Sequence, residues 1–191
     1  MAGFGFIAGA LCLDFVNTVG GRAGRRVLND KIVTAADLPA WADLAGLHLS
    51  RKQRERTVSA GAVERAHELR EALYRVLFAG MRGKRPPPGD LRKVQEEIHS
   101  ARVAQRLVQS AAGYRWMAEP ASDAAAEVLR AVADSAAELL TSVALSRLRQ
   151  CGGPQCGWLF LDATRNRSRR WCDMKDCGNR AKVRRYRERH L

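Results

Sequence analysis

Long apolar runs are missing from this sequence. Its most hydrophobic stretch, residues 4–13, is broken by Asp14 well short of the roughly 20 residues a membrane-spanning helix needs, and no basic segment precedes it as in a secretory signal. Gly9-Ala10-Leu11 also lacks the small residue that a lipoprotein signal places directly before its cysteine, here Cys12. No membrane partner is therefore expected. Catalytic patterns are equally scarce. There is no paired-carboxylate motif, Ser-His-Asp set, phosphate-cradling glycine loop or open metal site, so the chain is not expected to be an enzyme. The histidines His48, His67, His99 and His190 are scattered and offer no metal-ligand spacing. Internal repeats, coiled-coil heptads and low-complexity tracts are absent as well. Acids are few beside bases: 20 Asp+Glu against 33 Lys+Arg give a formal net charge of +13. A chain this basic seeks polyanions.

What is present gathers near the end. Four of the five cysteines form two Cys-x4-Cys pairs, Cys151 with Cys156 and Cys172 with Cys177, separated by fifteen residues. Zinc prefers four tetrahedral thiolate or imidazole ligands, and two loops that each supply a closely spaced pair complete that shell. The spacing points to Zn2+ in a closed structural site with no position left for water. Four free or redox thiols are the alternative, which the repeated spacing disfavours. Without a secretory signal, metal-spaced cysteines fit a reducing cytoplasm. Cys12, between leucines, reads as a small core residue. Residues 147–191 also hold 13 of the 33 Lys+Arg against four acids (Asp162, Asp173, Asp176, Glu188), so +9 of the +13 lies there.

A length of 191 residues suits one ordinary domain with a small appendage. The apolar pattern of residues 7–19 reads as a helix ending near Gly20-Gly21, followed by a polar basic loop over 22–30. Thr34 reads as an N-cap, with Asp37 at the capping-box position of a short helix ending near Gly46. Val63, Ala66, Leu69, Leu73, Val76 and Leu77 recur at three- and four-residue steps and predict a helix over 59–80. Arg85-Pro86-Pro87-Pro88-Gly89 reads as a connector to a helix over 90–101. Two β-type runs about Ala111-Ala112-Gly113 suggest a small hairpin. A long helix over 121–150 then runs directly into Cys151. The expected fold is mainly α: a helical bundle over 1–146 with a small β-hairpin, plus a four-cysteine zinc finger over 147–191.

Within that finger, residues 157–162 read as a strand, 164–171 as a turn and basic return strand, and 180–190 as a helix whose Val183 and Tyr186 face the hairpin. Knuckle, hairpin and terminal helix make a treble-clef-like unit. Units of roughly 40 residues usually need a metal or disulfide to fold. Cys-x4-Cys-Gly-Trp-Leu-Phe-Leu-Asp and Arg-Asn-Arg-Ser-Arg-Arg-Trp-Cys-x4-Cys-Gly-Asn-Arg resemble the CGNR zinc finger family, named for residues Cys177-Gly178-Asn179-Arg180. Leu11-Cys12-Leu13-Asp14-Phe15-Val16-Asn17-Thr18 and Leu69-Arg70-Glu71-Ala72-Leu73-Tyr74 resemble the helical ABATE domain that usually precedes such a finger. The resemblance implies a bacterial, stress-linked transcription regulator.

The nucleic-acid candidates are Arg165, Asn166, Arg167, Arg169 and Arg170 in the loop, with Arg180, Lys182, Arg184, Arg185 and Arg187 on the terminal helix. DNA is the expected partner, and RNA or an acidic protein the alternative. A homodimer would raise affinity, because one small module makes few contacts. Asp14, Asn17 and Arg70 are candidates for a pocket that takes a small-molecule effector; helix capping or cross-bracing is the competing reading of the same residues.

Overall fold

The computed structural model describes residues 4–22 and 28–190, and it is mainly helical. Its centre is α6 (Ala124–Thr141), which starts where the Asp123 carboxylate accepts the Ala126 N–H at 3.0 Å, an N-cap at the place helices most need an acceptor. Val128, Leu129, Val132, Ala133, Ala136 and Leu139 bury one stripe of it. Packed on that stripe are α1 (Leu11–Val16), α2 (Asp37–Leu44), α4 (Ala62–Met81) and α5 (Pro88–Val103). The predicted apolar face of α4 is the face that is buried, and the proline connector places Pro88 in the first turn of α5, where its missing N–H has no bond to lose. Short as it is, α1 is buried almost all round: Cys12, Leu13, Phe15 and Val16 have no exposure, and the Phe15 ring meets Trp41 edge-on at 5.3 Å. Burial pushes the Cys12 thiol up to about 12, so it stays protonated and inert, as its leucine setting implies.

Several boundaries differ from expectation. The first helix covers only Leu11–Val16, because the chain then forms β1 (Val19–Gly20), which pairs antiparallel with β2 (Leu28–Asp30) inside the predicted basic loop; residues 23–27 of that loop lie outside the described residues. At α2 the Thr34 hydroxyl donates to Asp37 instead of accepting, and Asp37 also takes the N–H groups of Val33 and Thr34. A short helix, α3 (Arg51–Glu55), was not anticipated, although Ser50 and Gln53 form a reciprocal capping box that the Ser-x-x-Gln spacing announces. The hairpin is present as β3 (Gln105–Ser110) and β4 (Gly113–Ala118). The long terminal helix breaks at Ser142. A 3-10 turn over Val143–Arg147 and the strand β5 (Leu148–Gln150) replace its last turns, and β5 pairs antiparallel with β6 (Leu159–Leu161).

That last ribbon joins the two halves of the chain. One edge of β6 bonds β5, and the other is closed by residues near the amino terminus. The Asn17 amide donates from Nδ2 to the Leu159 carbonyl at 2.8 Å and accepts the Leu159 N–H on Oδ1 at 3.0 Å. Ala8 offers its carbonyl to the Leu161 N–H at 2.8 Å. One side chain thus imitates a neighbouring strand.

Because Leu159 is fully buried, Asn17→Ala leaves both its backbone groups without partners, at about 1–3 kcal/mol each. Urea unfolding of the variant is expected to show a loss of about 2–4 kcal/mol, still in a single transition. A loss below about 0.5 kcal/mol would contradict the clamp.

Candidate metal centre

The four paired cysteines converge. Cys151 follows β5 directly, and its N–H bonds the Trp158 carbonyl at 2.8 Å, closing a knuckle over Gly152-Gly153-Pro154-Gln155. Gly157, at φ +70°, turns the chain back into β6. The second pair comes from a tight π-type turn, Met174–Gly178, whose Asp173 carboxylate accepts the Lys175 N–H at 2.7 Å; the turn continues without interruption into α7 (Asn179–His190). A hydrogen bond from the Gly152 N–H to the Arg170 carbonyl, 3.0 Å, ties knuckle to turn.

All four Sγ atoms lie within 4.8 Å of one another, with Cys156 to Cys172 and Cys172 to Cys177 each at 3.6 Å. A tetrahedral ion with Zn–S bonds near 2.3 Å sets its ligand sulfurs about 3.8 Å apart, so the donor set has the size for zinc. The surroundings fit as well. A Cβ on Gly153 would stand 3.3 Å from the Cys177 sulfur and 3.1 Å from the Cys156 Cβ, in the space the sulfurs share. Two donors point at sulfur as they do towards thiolates: the Cys172 N–H at Cys151 (3.3 Å) and the Arg180 guanidinium at Cys177 (3.2 Å).

Crowding sets the acid–base behaviour. Hydrogen bonds from Cys156 and then Cys172 hold the Cys151 thiol well below its usual range, while the proton kept in the bond to Cys151 pushes Cys156 and Cys172 up. A divalent cation is what lets such thiols ionise together, and binding it releases protons.

The basic residues divide. Arg165, Asn166 and Arg167 project from an exposed turn anchored by buried Asp162, which accepts from the Thr164 hydroxyl (2.6 Å), the Thr164 N–H (2.9 Å) and the Arg169 N–H (2.9 Å). Arg170 is exposed beside the Trp171 ring. Arg169 departs from its predicted role. Its guanidinium donates to the carbonyls of Trp171, Cys172, Leu161 and Ile7 and lies 4.4 Å from the Phe160 ring, so it staples the finger to the amino-terminal segment. Arg180 turns partly inward, to Asp176 at 3.0 Å and Cys177. Lys182, Arg184, Arg185 and Arg187 are exposed along α7, where Ala181 alone is buried. Val183 and Tyr186 are exposed too, because no hairpin lies beneath them: β6 pairs with β5 and no strand forms over 164–171. Asn179 lies within the helix and donates to the Lys175 carbonyl at 3.0 Å, while Asp173 does the capping.

Asp14, Asn17 and Arg70 are each engaged by partners within the fold. Asp14 accepts the N–H groups of Ile7 and Ala8, each at 3.0 Å; burial raises its carboxyl and those bonds partly offset the rise. Asn17 holds β6. Arg70, 2% exposed, forks onto Asp30 at 2.7 and 2.5 Å and also reaches Thr18 and Glu71. Burial alone would raise Asp30, but the Arg70 fork outweighs it and holds the carboxyl below its usual range. All three are braces, which is the competing reading of buried polar groups.

Arg22 was missed, and Trp158, which the sequence reads as packing around the zinc, has a second role. Arg22 gives its N–H to the Cys156 carbonyl at 3.1 Å while its guanidinium bonds Glu71 of α4 at 2.8 and 3.0 Å and covers the Tyr74 ring, linking a metal-ligand residue to the body. Trp158 donates its indole N–H to the Val19 carbonyl at 2.7 Å. Arg22 carried no signal beyond its place after two glycines; Trp158, inside a motif otherwise explained by the metal, could have been marked as a seam residue. Between β1–β2 and α7 lies a cleft of about 430 Å³, lined in part by Gly20, Asn29, Gln155, Trp158, Arg180 and Arg184.

Comparison with known families agrees with the architecture. Residues 147–190 match the family model of the CGNR zinc finger, and residues 9–143 match that of ABATE, described as "Putative stress-induced transcription regulator". No curated protein matches the chain. Among the described residues no helix is long and apolar enough to cross a membrane.

Since protons compete for the thiolates, a group whose ionised form the metal holds contributes stability above its free pKa and loses it as pH falls. Metal content, read by a chromophoric chelator, is expected to be one ion per chain at about pH 8 and to drop steadily towards about pH 5. Cys172→Ser should release the ion at higher pH than the parent chain. Retention that does not vary with pH would contradict ligation by these sulfurs.

Proposed function

Because the chain belongs to the ABATE family and carries a CGNR zinc finger, we propose that it is a DNA-binding transcription regulator whose Zn2+ is structural and whose helical body is a scaffold that seats the finger. It acts by binding and not by catalysis, in a reducing compartment such as the cytoplasm. Cys151, Cys156, Cys172 and Cys177 hold the ion, which supplies folding energy and fixes the direction of α7; the contacts to nucleic acid come from Arg and Lys side chains.

The observation that carries this reading is the state of α7. It has twelve residues, buries only Ala181, and leaves Lys182, Arg184, Arg185 and Arg187 in solvent. A helix of that length is marginal in water on its own. Like charges four residues apart, Arg180 with Arg184 and Arg185 with Arg189, repel along its sides. Its ion pairs, Arg180 with Asp176 at 3.0 Å and Arg184 with Glu188 at 3.5 Å, are exposed and contribute little. A row of phosphates removes that repulsion, and each one neutralised releases condensed counterions. Arg165, Asn166, Arg167 and Arg170, exposed on the loop, offer further contacts. Arg187 and Arg189 also lie in the last turn, where cations suit the helix dipole.

The test replaces Arg184, Arg185 and Arg187 together by Ala, three exposed positions whose loss leaves the core untouched. A mobility-shift titration against duplex DNA over several salt concentrations is expected to show affinity lower by about tenfold or more and a log–log salt slope shallower by about 3. Unchanged affinity and slope would overturn the assignment, and tighter binding to RNA than to DNA would redirect it.

A further inference from the structure

The β3–β4 hairpin stands away from the bundle. Its strands pack chiefly on each other, and its base is tied down by Gln105 Nε2 donating to Asp134 at 2.6 Å and by the Glu119 N–H on the Ala104 carbonyl at 2.8 Å. A two-stranded ribbon without cover is marginal in water. The pairing of Leu107 with Trp116 and of Gln109 with Tyr114 sets those four side chains on one face. Leu107 is 56% exposed, Trp116 63% and Tyr114 71%. The charged strand residues, Arg106 and Arg115, stand opposite Met117 and Val108 and so belong to the other face.

We propose that this face binds a second copy of the chain, hairpin against hairpin across a twofold axis. Charge selects that occupant. The face carries no charge of either sign, so a chain of net charge +13 can meet itself there without opposing cations, whereas a nucleic acid or an acidic protein would find nothing on the face to pair with. Area sets the strength. Two aromatic side chains each cover on the order of 150 Å² when buried. With Leu107 and Gln109 added, a symmetric contact that covers all four side chains removes at most about 1,000 Å² in total, the size of a weak, transient interface. The dimer is accordingly weak, in the micromolar range, and each dimer presents two fingers.

This contact responds to salt in the sense opposite to DNA binding. Screening weakens the repulsion between two basic chains and leaves the apolar contact intact, so association tightens as salt rises, while binding to a polyanion loosens. The two readings can therefore fail separately.

Sedimentation velocity on the full, zinc-loaded chain without DNA, from about 1 to about 200 µM, is the test. The expected result is a sedimentation coefficient that rises with concentration, with a midpoint that falls as NaCl is added. Leu107→Ser with Trp116→Ser should move the midpoint up by about tenfold or more. Gln109→Arg keeps every apolar side chain and places a cation on the face, and should weaken association in the same direction. Val143→Lys, at a 92% exposed site away from the hairpin, should leave it unchanged. A parent chain that stays monomeric throughout would overturn the proposal. So would a Gln109→Arg variant that associates as the parent does, or a Val143→Lys variant that does not associate.

Discussion

One carboxamide holds the two halves of this molecule in register. Asn17 stands at the end of the buried helix α1 and grips both backbone groups of Leu159, closing the edge of β6 that β5 leaves open. An open strand edge inside a protein would leave an unpaired N–H and C=O, each costly to bury. Once β6 is fixed there, the Ala8 carbonyl, the Trp158 indole, the Arg22 backbone and the Arg169 guanidinium all fall into reach of their partners. The finger is thus built into the bundle, and its β6 side chains Leu159 and Phe160 belong to the same hydrophobic core as Leu13 and Leu73.

This construction changes what the metal stabilises. A free-standing finger of this size would depend on its ion alone. Here the knuckle also rests on Tyr74 and Arg22, and Glu71 is held ionised because two guanidinium groups outweigh the burial that would raise it. Loss of the ion therefore disturbs a seam that reaches α4. Towards solvent the opposite holds, since α7 leaves the metal turn and touches little else. Packing against the rest of the molecule ends where the proposed contact surface begins.

Much of the fold was legible because burial imposes a period. The stripe of α4, the proline start of α5 and the hairpin about Ala111-Ala112 follow from local chemistry that tertiary contacts do not override. The end of the last long helix was not legible. Val143 and Leu148 continue a helical spacing, yet the chain leaves the helix at Ser142 because β5 gains a partner in β6 that lies downstream. Local propensity cannot register a bond to a strand eleven residues away. Arg169 shows the same limit, since on paper it is one arginine among several in a basic loop, and only its position over Phe160 removes it from the exposed set.

Taken alone, the sequence determined the four thiol ligands, the two-part organisation and the location of the charge. Ligand number, spacing and net charge are additive or local properties, and they survive any arrangement of the chain. The tertiary structure decided which polar residues are braces and which are presented. Asp14, Asn17 and Arg70 look like a binding set when read along the chain, and each becomes a structural bond once its partner is in place. The reason is desolvation: a buried polar group must find a partner, and the identity of that partner depends on residues distant in sequence that only the completed fold brings near.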